Sequence, residues 1–294
     1  MTHRRPPPSP ALQGDPRRRQ QGMTLVELLV GMVLGLLVIG VALGALMASR
    51  GVTGTVSDAS QLQQQASHIF RVMGRQLRQA GSLRLLLASQ KAPNEPIDIA
   101  DPVALEARAD DFIPANDSIR GNDTPASNQF ALTVGYSNYT QPLHSPQGSA
   151  SLQRNCLGQT NSATLIQSHF VLDTTSNTLR CAGGGSTRQP FAENIANFQL
   201  RYLMQAPDGA ARVRYVSAAE VGANWPRVYG VEVCLVLFGT EAIDMPAGST
   251  YTDCADSTGT AATIDMTTLP APRTRRLHMV FRSVYQLRGQ GLAG

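Results

Sequence analysis

The sequence predicts an α+β protein: one long N-terminal helix, membrane-spanning over its first half, packed through its second half on a mainly antiparallel β-sheet domain. Three observations predict it. Residues 23–48 form an apolar run interrupted only by Thr24 and Glu27. The residues that follow keep a helical period while polarity returns. Beyond about residue 130, short alternating runs succeed one another with no long helical pattern between them, which is the texture of an antiparallel sheet.

The elements follow in order. Residues 1–22 are rich in Pro and Arg and carry no apolar periodicity, so they read as a leader segment outside the fold. Residues 28–48 alone would extend about 31 Å as a helix, enough to cross a bilayer. An ordinary secretory signal has a shorter apolar run with a small-x-small cleavage site after it. Here the run is long, and the small residue, Gly22, precedes it. Val56, Ala59, Leu62, Ala66, Ile69, Met73, Leu77 and Ala80 then step by three or four, with Gln63, Gln64, Arg71, Arg75 and Arg78 opposite. This amphipathic stretch continues the apolar helix as far as Gly81, a residue suited to a helix C-terminus. Gly51 and Gly54 predict a bend or loosened turn at the junction, each costing about 1 kcal/mol relative to Ala. The chain is therefore divided into 1–22, a leader; 23–48, a spanning helix; 49–81, its amphipathic continuation; and 82–294, a globular domain.

Within that domain, residues 91–128 hold five prolines among Asn and Asp and read as loop. Phe130, Leu132, Val134 and Tyr136 share one face of a candidate strand. Ala163–Leu172 and Asn177–Cys181 flank a turn at Asp173–Ser176. Phe198, Leu200, Tyr202 and Met204 alternate on a run that turns at Pro207-Asp208-Gly209 into Arg212–Val216. Val228–Phe238 is almost wholly apolar and reads as a central strand, and Leu277, Met279, Phe281, Ser283, Tyr285 and Leu287 alternate on a last one. The amphipathic stripe of 56–80 supplies the apolar cover that such a sheet requires.

The charge is unevenly placed. Residues 1–22 hold five arginines against Asp15, which equals the formal net charge of +4 of the whole chain. Beyond them, twenty basic and twenty acidic side chains balance. The basic excess thus marks the cytoplasmic flank of a membrane span, as the positive-inside rule expects, and not a nucleic-acid surface. No basic stretch interleaved with aromatics occurs after it. Charged residues are only 16% of the chain, with Ser, Thr, Asn, Gln and Gly in their place, which suits an extracellular, loop-rich β domain. All four cysteines, Cys156, Cys181, Cys234 and Cys254, lie beyond the span, and an even count on the translocated side reads as two disulfides. Of the three pairings, the sequence-local one is favoured: Cys156–Cys181 with Cys234–Cys254. The spacings do not suit zinc, so no metal or other cofactor is expected.

Function is concentrated in Gly22-Met23-Thr24-Leu25-Val26-Glu27. A small residue between an Arg-rich flank and an apolar run offers a peptidase an unhindered bond at the cytoplasmic membrane face. Cutting after Gly22 would leave Met23 with a free amine at the start of an apolar helix. Glu27 sits in the first turn of that helix, where a carboxylate facing lipid is costly and by default a functional candidate. Gly31, Gly35, Gly40 and Gly44 form two small-xxx-small pairs that permit close helix approach.

This string resembles the class III signal of type IV pilins and pseudopilins. The resemblance implies a type IV pilin-like fold, cleavage between Gly22 and Met23 by a prepilin peptidase, N-methylation of Met23, and pairing of Glu27 with the N-terminal amine of a neighbouring subunit during assembly. Arg75–Gly81, Ala196–Leu203, Trp225 before Val228–Phe238, and Leu277–Arg288 resemble the PilW family of minor pilins. That narrower resemblance implies a subunit of a type IV pilus tip or priming complex. It would be anchored once in the inner membrane with its globular domain in the periplasm, and later displayed at the pilus tip. Other minor pilins, the major pilin, the inner-membrane assembly platform and a tip adhesin are the implied partners. A minor pseudopilin of a type II secretion system is the alternative.

No enzyme is expected. His3, His68, His144, His169 and His278 are scattered, with no HxxxH or HExxH motif. His169 near Asp173 lacks the Gly-x-Ser-x-Gly of a hydrolase elbow. Asp117, Asn122 and Asp123 lack EF-hand spacing and read as solvated turn residues. Gly183-Gly184-Gly185 reads as flexible linker, and Trp225 as a core or edge plug.

Overall fold

The computed structural model describes residues 22–83, 85–86, 104–105, 112–138, 140–142, 149–151, 153–160, 163–205 and 213–287. It divides into two compact units, Met1–Gly51 and Val52–Gly294. Residues 1–21 of the leader and the Pro207-Asp208-Gly209 turn lie outside the described residues.

Helix α1 spans Leu25–Gln79, 55 residues. It is continuous through Gly51 and Gly54. The glycine penalty there is smaller than the cooperative gain of a helix already nucleated on both sides. α1 stops at Gly81, whose φ of 72° is costly for any residue with a Cβ. The Gly81 N–H donates to the Gly135 carbonyl at 2.9 Å, so the helix exit is tied to a strand.

The strand pairs among the described residues are all antiparallel. In chain order the strands are β1 Leu85–Leu86, β2 Ala104–Leu105, β3 Ile119–Gly121, β4 Leu132–Ser137, β5 Thr140–Pro142, β6 Ser149–Ser151, β7 Leu165–Asp173, β8 Thr178–Gly183, β9 Gln189–Ala192, β10 Ile195–Gln205, β11 Val213–Val216, β12 Val228–Ala242, β13 Thr250–Ala255, β14 Ala261–Asp265 and β15 Arg276–Gln286. Two four-residue helices, α2 Pro114–Asp117 and α3 Ala218–Val221, sit among them. One sheet runs β3-β4-β7-β8-β9 and a second runs β11-β10-β12-β15. Among the described residues three two-stranded sheets, β1-β2, β5-β6 and β13-β14, accompany these two, and the chain passes from the first large sheet to the second between β9 and β10. Asn194 has a φ of 56° there, and its carbonyl accepts from Phe238 N–H at 3.0 Å.

Both sheets close on one core. In the first, Leu132, Val134 and Tyr136 lie in register with Phe170, Ser168 and Ile166. In the second, Phe198, Leu200 and Tyr202 lie in register with Leu235, Val233 and Val231. Leu62, Ala66, Ile69, Met73, Leu77 and Ala80 of α1 belong to the same buried cluster. The predicted stripe thus starts one turn late, since Val56 is 64% exposed. Asp58 is the buried residue there instead. Its carboxylate accepts from Thr240 Oγ1 at 3.1 Å and from Glu241 N–H at 3.0 Å, which offsets the cost of burying a charge. Gly239 leaves the room, because a Cβ there would collide with that carboxylate.

A second polar residue enters the helix stripe. Gln76 is buried, and its Oε1 accepts from Tyr136 Oη at 2.9 Å and from Ser168 Oγ at 2.8 Å. Its Nε2 donates to the Arg154 carbonyl at 3.2 Å. One side chain therefore satisfies β4, β7 and the loop before Cys156 together. Burial pushes the Tyr136 phenol well above its ordinary range, against a smaller opposing effect of the Gln76 bond.

Three local expectations change. Phe130 precedes β4 and stacks on His169 (centroids 4.6 Å apart), with Arg188 over its ring, so it leaves the inner face of Leu132 and Val134. Gly183–Gly185 is an ordered turn and not a linker: Ser186 Oγ accepts from Gly183 N–H at 2.7 Å, and Gly185 takes a φ of 76°. The Pro-rich stretch contains α2 and β3, and Pro114 begins α2, where its missing N–H costs nothing.

β12 carries the near-continuous apolar run because it is covered on both faces. The core lies on one side. On the other, the segment 243–275 folds back as the β13–β14 hairpin. Tyr285 of β15 reaches α1, where its Oη donates to the Phe70 carbonyl at 2.9 Å. Its ring fills the space a Cβ on Gly74 would need. Alanine normally stabilises a helix interior by about 1 kcal/mol over glycine. Gly74→Ala is expected to do the opposite here, lowering stability by about 1–3 kcal/mol through overpacking. Urea unfolding of the detergent-solubilised protein measures the sign.

Candidate assembly interface

The N-terminal unit is built from the first turn of α1. Thr24 lies immediately before the helix, and its Oγ1 accepts from the Glu27 N–H at 3.3 Å. The Thr24 carbonyl accepts from Leu28 N–H at 3.2 Å. Thr24 is therefore the N-cap and Glu27 the third helical residue, the T-x-x-E spacing of a capping box. The cap was legible in that spacing, and the sequence reading missed it. A carboxylate in the first turn also faces the positive end of the helix dipole. Gly22 and Met23 precede the cap without regular structure and are exposed. Among the described residues, no heavy atom lies within 4 Å of where a side chain on Gly22 would begin.

From Leu25 to Met47 the helix runs 23 residues, about 35 Å of axis, apolar but for Glu27. Leu25 is 76% exposed and Met47 74%. Exposed apolar surface on this scale requires lipid or other helices as its solvent. At about 100° per residue, Glu27, Gly31 and Gly35 fall on one face, while Gly40 and Gly44 fall on the opposite one. None of these four glycines has a heavy atom within 4 Å of a built Cβ. Close helix approach is thus open on two faces at two heights.

The four cysteines belong to the second unit and form two bridges, Cys156–Cys181 and Cys234–Cys254. Cys156 and Cys181 lie in the main core, joining the loop after β6 to β8. Cys234 and Cys254 lie in a separate cluster with Val236, joining β12 to β13. The two bridges therefore staple different parts of the domain and do not approach a common ligand geometry.

The other candidate residues carry structural bonds. His169 Nδ1 meets Thr133 Oγ1 at 2.9 Å, and burial holds its pKa below the ordinary value. Asp173 pairs with Arg180 at 3.0 Å, and hydrogen bonds led by the Ser176 side chain hold its carboxyl below the usual range. Asp123 caps α3, accepting from Ala218 N–H at 3.0 Å and Ala219 N–H at 2.9 Å. Asp117 accepts from Ile113 N–H, and Asn122 from Thr124 N–H. Among the described residues, no three His, Cys, Asp or Glu side chains converge as metal ligands. A groove of about 250 Å³ lies beside Asn122, Asp123 and Asn197, but these side chains are already bonded to Gln129, α3 and Asp253. Trp225 is 5% exposed and packs edge-on against Tyr202 at 5.0 Å, a core plug.

Residues 159–289 match the family model described as type IV pilus-assembly protein W. Residues 17–43 match the prokaryotic N-terminal methylation motif. No curated protein matches the chain. A type IV-like pilin from Thermus thermophilus aligns over 78% of this chain and 98% of its own length, at 13% identity and a TM-score of 0.35.

The bridges define a stability test. Each closes a loop of 20 to 25 residues, worth about 3 kcal/mol in the chain-entropy picture. Replacing Cys156 and Cys181 together by Ser places two hydroxyls in the main core, so that variant is expected to melt lower than Cys234→Ser/Cys254→Ser. Differential scanning calorimetry of the two double variants gives the order.

Proposed function

We propose that this type IV pilin-related chain, similar to type IV pilus-assembly protein W over residues 159–289 and to the prokaryotic N-terminal methylation motif over 17–43, acts as a minor pilin of the pilus tip or priming complex. One observation carries the proposal. The Gly22–Met23 bond lies immediately before a capped apolar segment, Leu25–Met47, whose one acidic residue, Glu27, sits in the first turn.

Residues 1–22 form a leader whose removal by a prepilin peptidase takes away the whole net charge and exposes the Met23 amine. That amine is then N-methylated. It carries a positive charge beside an apolar helix, and Glu27 carries a negative one. Neither is stable alone in a low-dielectric bundle, whereas an amine and a carboxylate on neighbouring subunits satisfy each other and fix the stagger between helices. The Gly31/Gly35 pair lies on the Glu27 face and lets a neighbouring helix approach where that ion pair forms. Before assembly the same apolar surface holds the protein in the inner membrane with its disulfide-bonded domain in the periplasm. The other minor pilins, the major pilin and the assembly platform are its partners. No step of this role makes or breaks a bond at this protein's own side chains.

Glu27→Ala is expected to leave leader cleavage intact and to reduce surface piliation by about tenfold or more, an ion pair of this kind being worth more than 1.4 kcal/mol. Immunoblotting of sheared pili against the membrane fraction reads both effects. Wild-type piliation in the variant contradicts the role given to Glu27. A deletion strain that assembles normal pili but fails to secrete folded exoproteins would place the chain in a type II secretion system instead.

A further inference from the structure

The β13–β14 hairpin is held on the outer face of the second sheet by a disulfide, by hydrogen bonds to Asp253 and by a ring stack on His278. Cys254 is bonded to Cys234 of β12. The Asp253 carboxylate accepts from Asn197 Nδ2 at 2.9 Å, and its carbonyl accepts from an Arg282 Nη at 3.2 Å. Between these bonds and the hairpin's base, the Tyr251 ring stacks on the His278 ring at 4.8 Å and 11°. Phe238 stacks on His278 as well, at 5.8 Å and 28°. His278 is 6% exposed, and Tyr251, stacked on it, also packs against the Cys234–Cys254 cluster.

The hydrogen bonds of the imidazole select its charge state. Nδ1 lies 2.9 Å from the Arg276 carbonyl, so Nδ1 carries the proton and donates. Among the described residues, Nε2 is buried with no hydrogen-bond partner. Protonating Nε2 would add a charge and an unmet donor inside an apolar stack. Of the charged groups around it, Arg273 opposes that charge and Asp253 favours it. Arg276 and Arg282 share its strand and face, and Arg273 approaches from the loop after β14. Asp253 is the one favourable carboxylate, and it is already held by Asn197 and by the Cys254 N–H. Arg201 and Glu232, farther along the same sheet face, lie opposite each other in register.

We propose that this stack is a proton-sensitive clasp: neutral His278 holds the 243–275 arm on the sheet, and acid releases the arm, which stays tethered by the Cys234–Cys254 bridge. Burial, with Arg273 adding to it, holds His278 below the ordinary imidazole value, against the Arg276 carbonyl and Asp253. The sign follows from linkage. Above the unfolded pKa, about 6.5, both states are neutral and the clasp contributes its full stability; that contribution is lost as pH falls below this value toward the depressed folded pKa. The arm carries Asp244 and Asp256 outward, so its release would alter a charged outer surface without unfolding the core.

Hydrogen exchange of the full-length protein in detergent, read by mass spectrometry at pH 7.5 and 5.0 and normalised to an unfolded control at each pH, tests this. Peptides covering 250–265 are expected to lose roughly threefold or more of their protection at pH 5.0, while 165–183 keep theirs. His278→Phe keeps the ring stack and cannot titrate, so its arm is expected to be equally protected at both pH values. Unchanged protection of the wild-type arm overturns the proposal. So does an equal loss in the His278→Phe variant, which would put the acid-sensitive group elsewhere.

Discussion

The globular unit depends on a single helical stripe that two sheets share. Neither sheet has a layer of its own to bury against. Both turn their inner faces to Leu62–Ala80 of α1, and the stripe is specified by two polar residues as much as by apolar ones. Asp58 fixes one end on Gly239 and Thr240. Gln76 fixes the other by satisfying Tyr136, Ser168 and the Arg154 carbonyl with one amide. A leucine at either position would bury as much surface but leave hydroxyls or amides unpaired. These two contacts set the axial position and rotation of the helix against the sheets, which apolar packing alone fixes less sharply.

Much of this was legible in the sequence, because period is a strong signal and most elements here are amphipathic. The alternations in β10 and β15 and the doubly buried run of β12 follow directly from it. What escaped has physical reasons. Asp58 and Gln76 sit on an apolar stripe, and a reading by hydrophobicity discounts polar residues there. Phe130 matches the strand alternation but lies before the strand begins, where Arg188 and His169 offer it a better stack. Three consecutive glycines read as freedom, whereas the left-handed Gly185 and the Ser186 hydroxyl make them a turn. His278 alternates out of the inner face, and nothing local announces that a hairpin from 243–275 will cover it.

The N-terminal unit was more legible still, because its chemistry is local. A small residue, a cap and a carboxylate fall within six positions, 22 to 27. Thr24 makes the first turn of the helix self-sufficient, so Glu27 is held at a defined height whatever packs around it. In the proposed role this matters: a carboxylate that must find one amine on a neighbouring helix needs a fixed position more than it needs strength. The glycines on the same face and the uninterrupted apolar surface beyond them serve the same requirement of close, staggered helix packing. The two disulfides belong to a different task, holding a loop-rich domain together.

The central claim is that the working protein begins at Met23. Mass spectrometry of the N-terminal peptide, taken from protein purified from its native cell, tests it most directly. The account predicts a peptide that starts at Met23 and is heavier by one methyl group. An intact Met1, or cleavage after the apolar run, would contradict it.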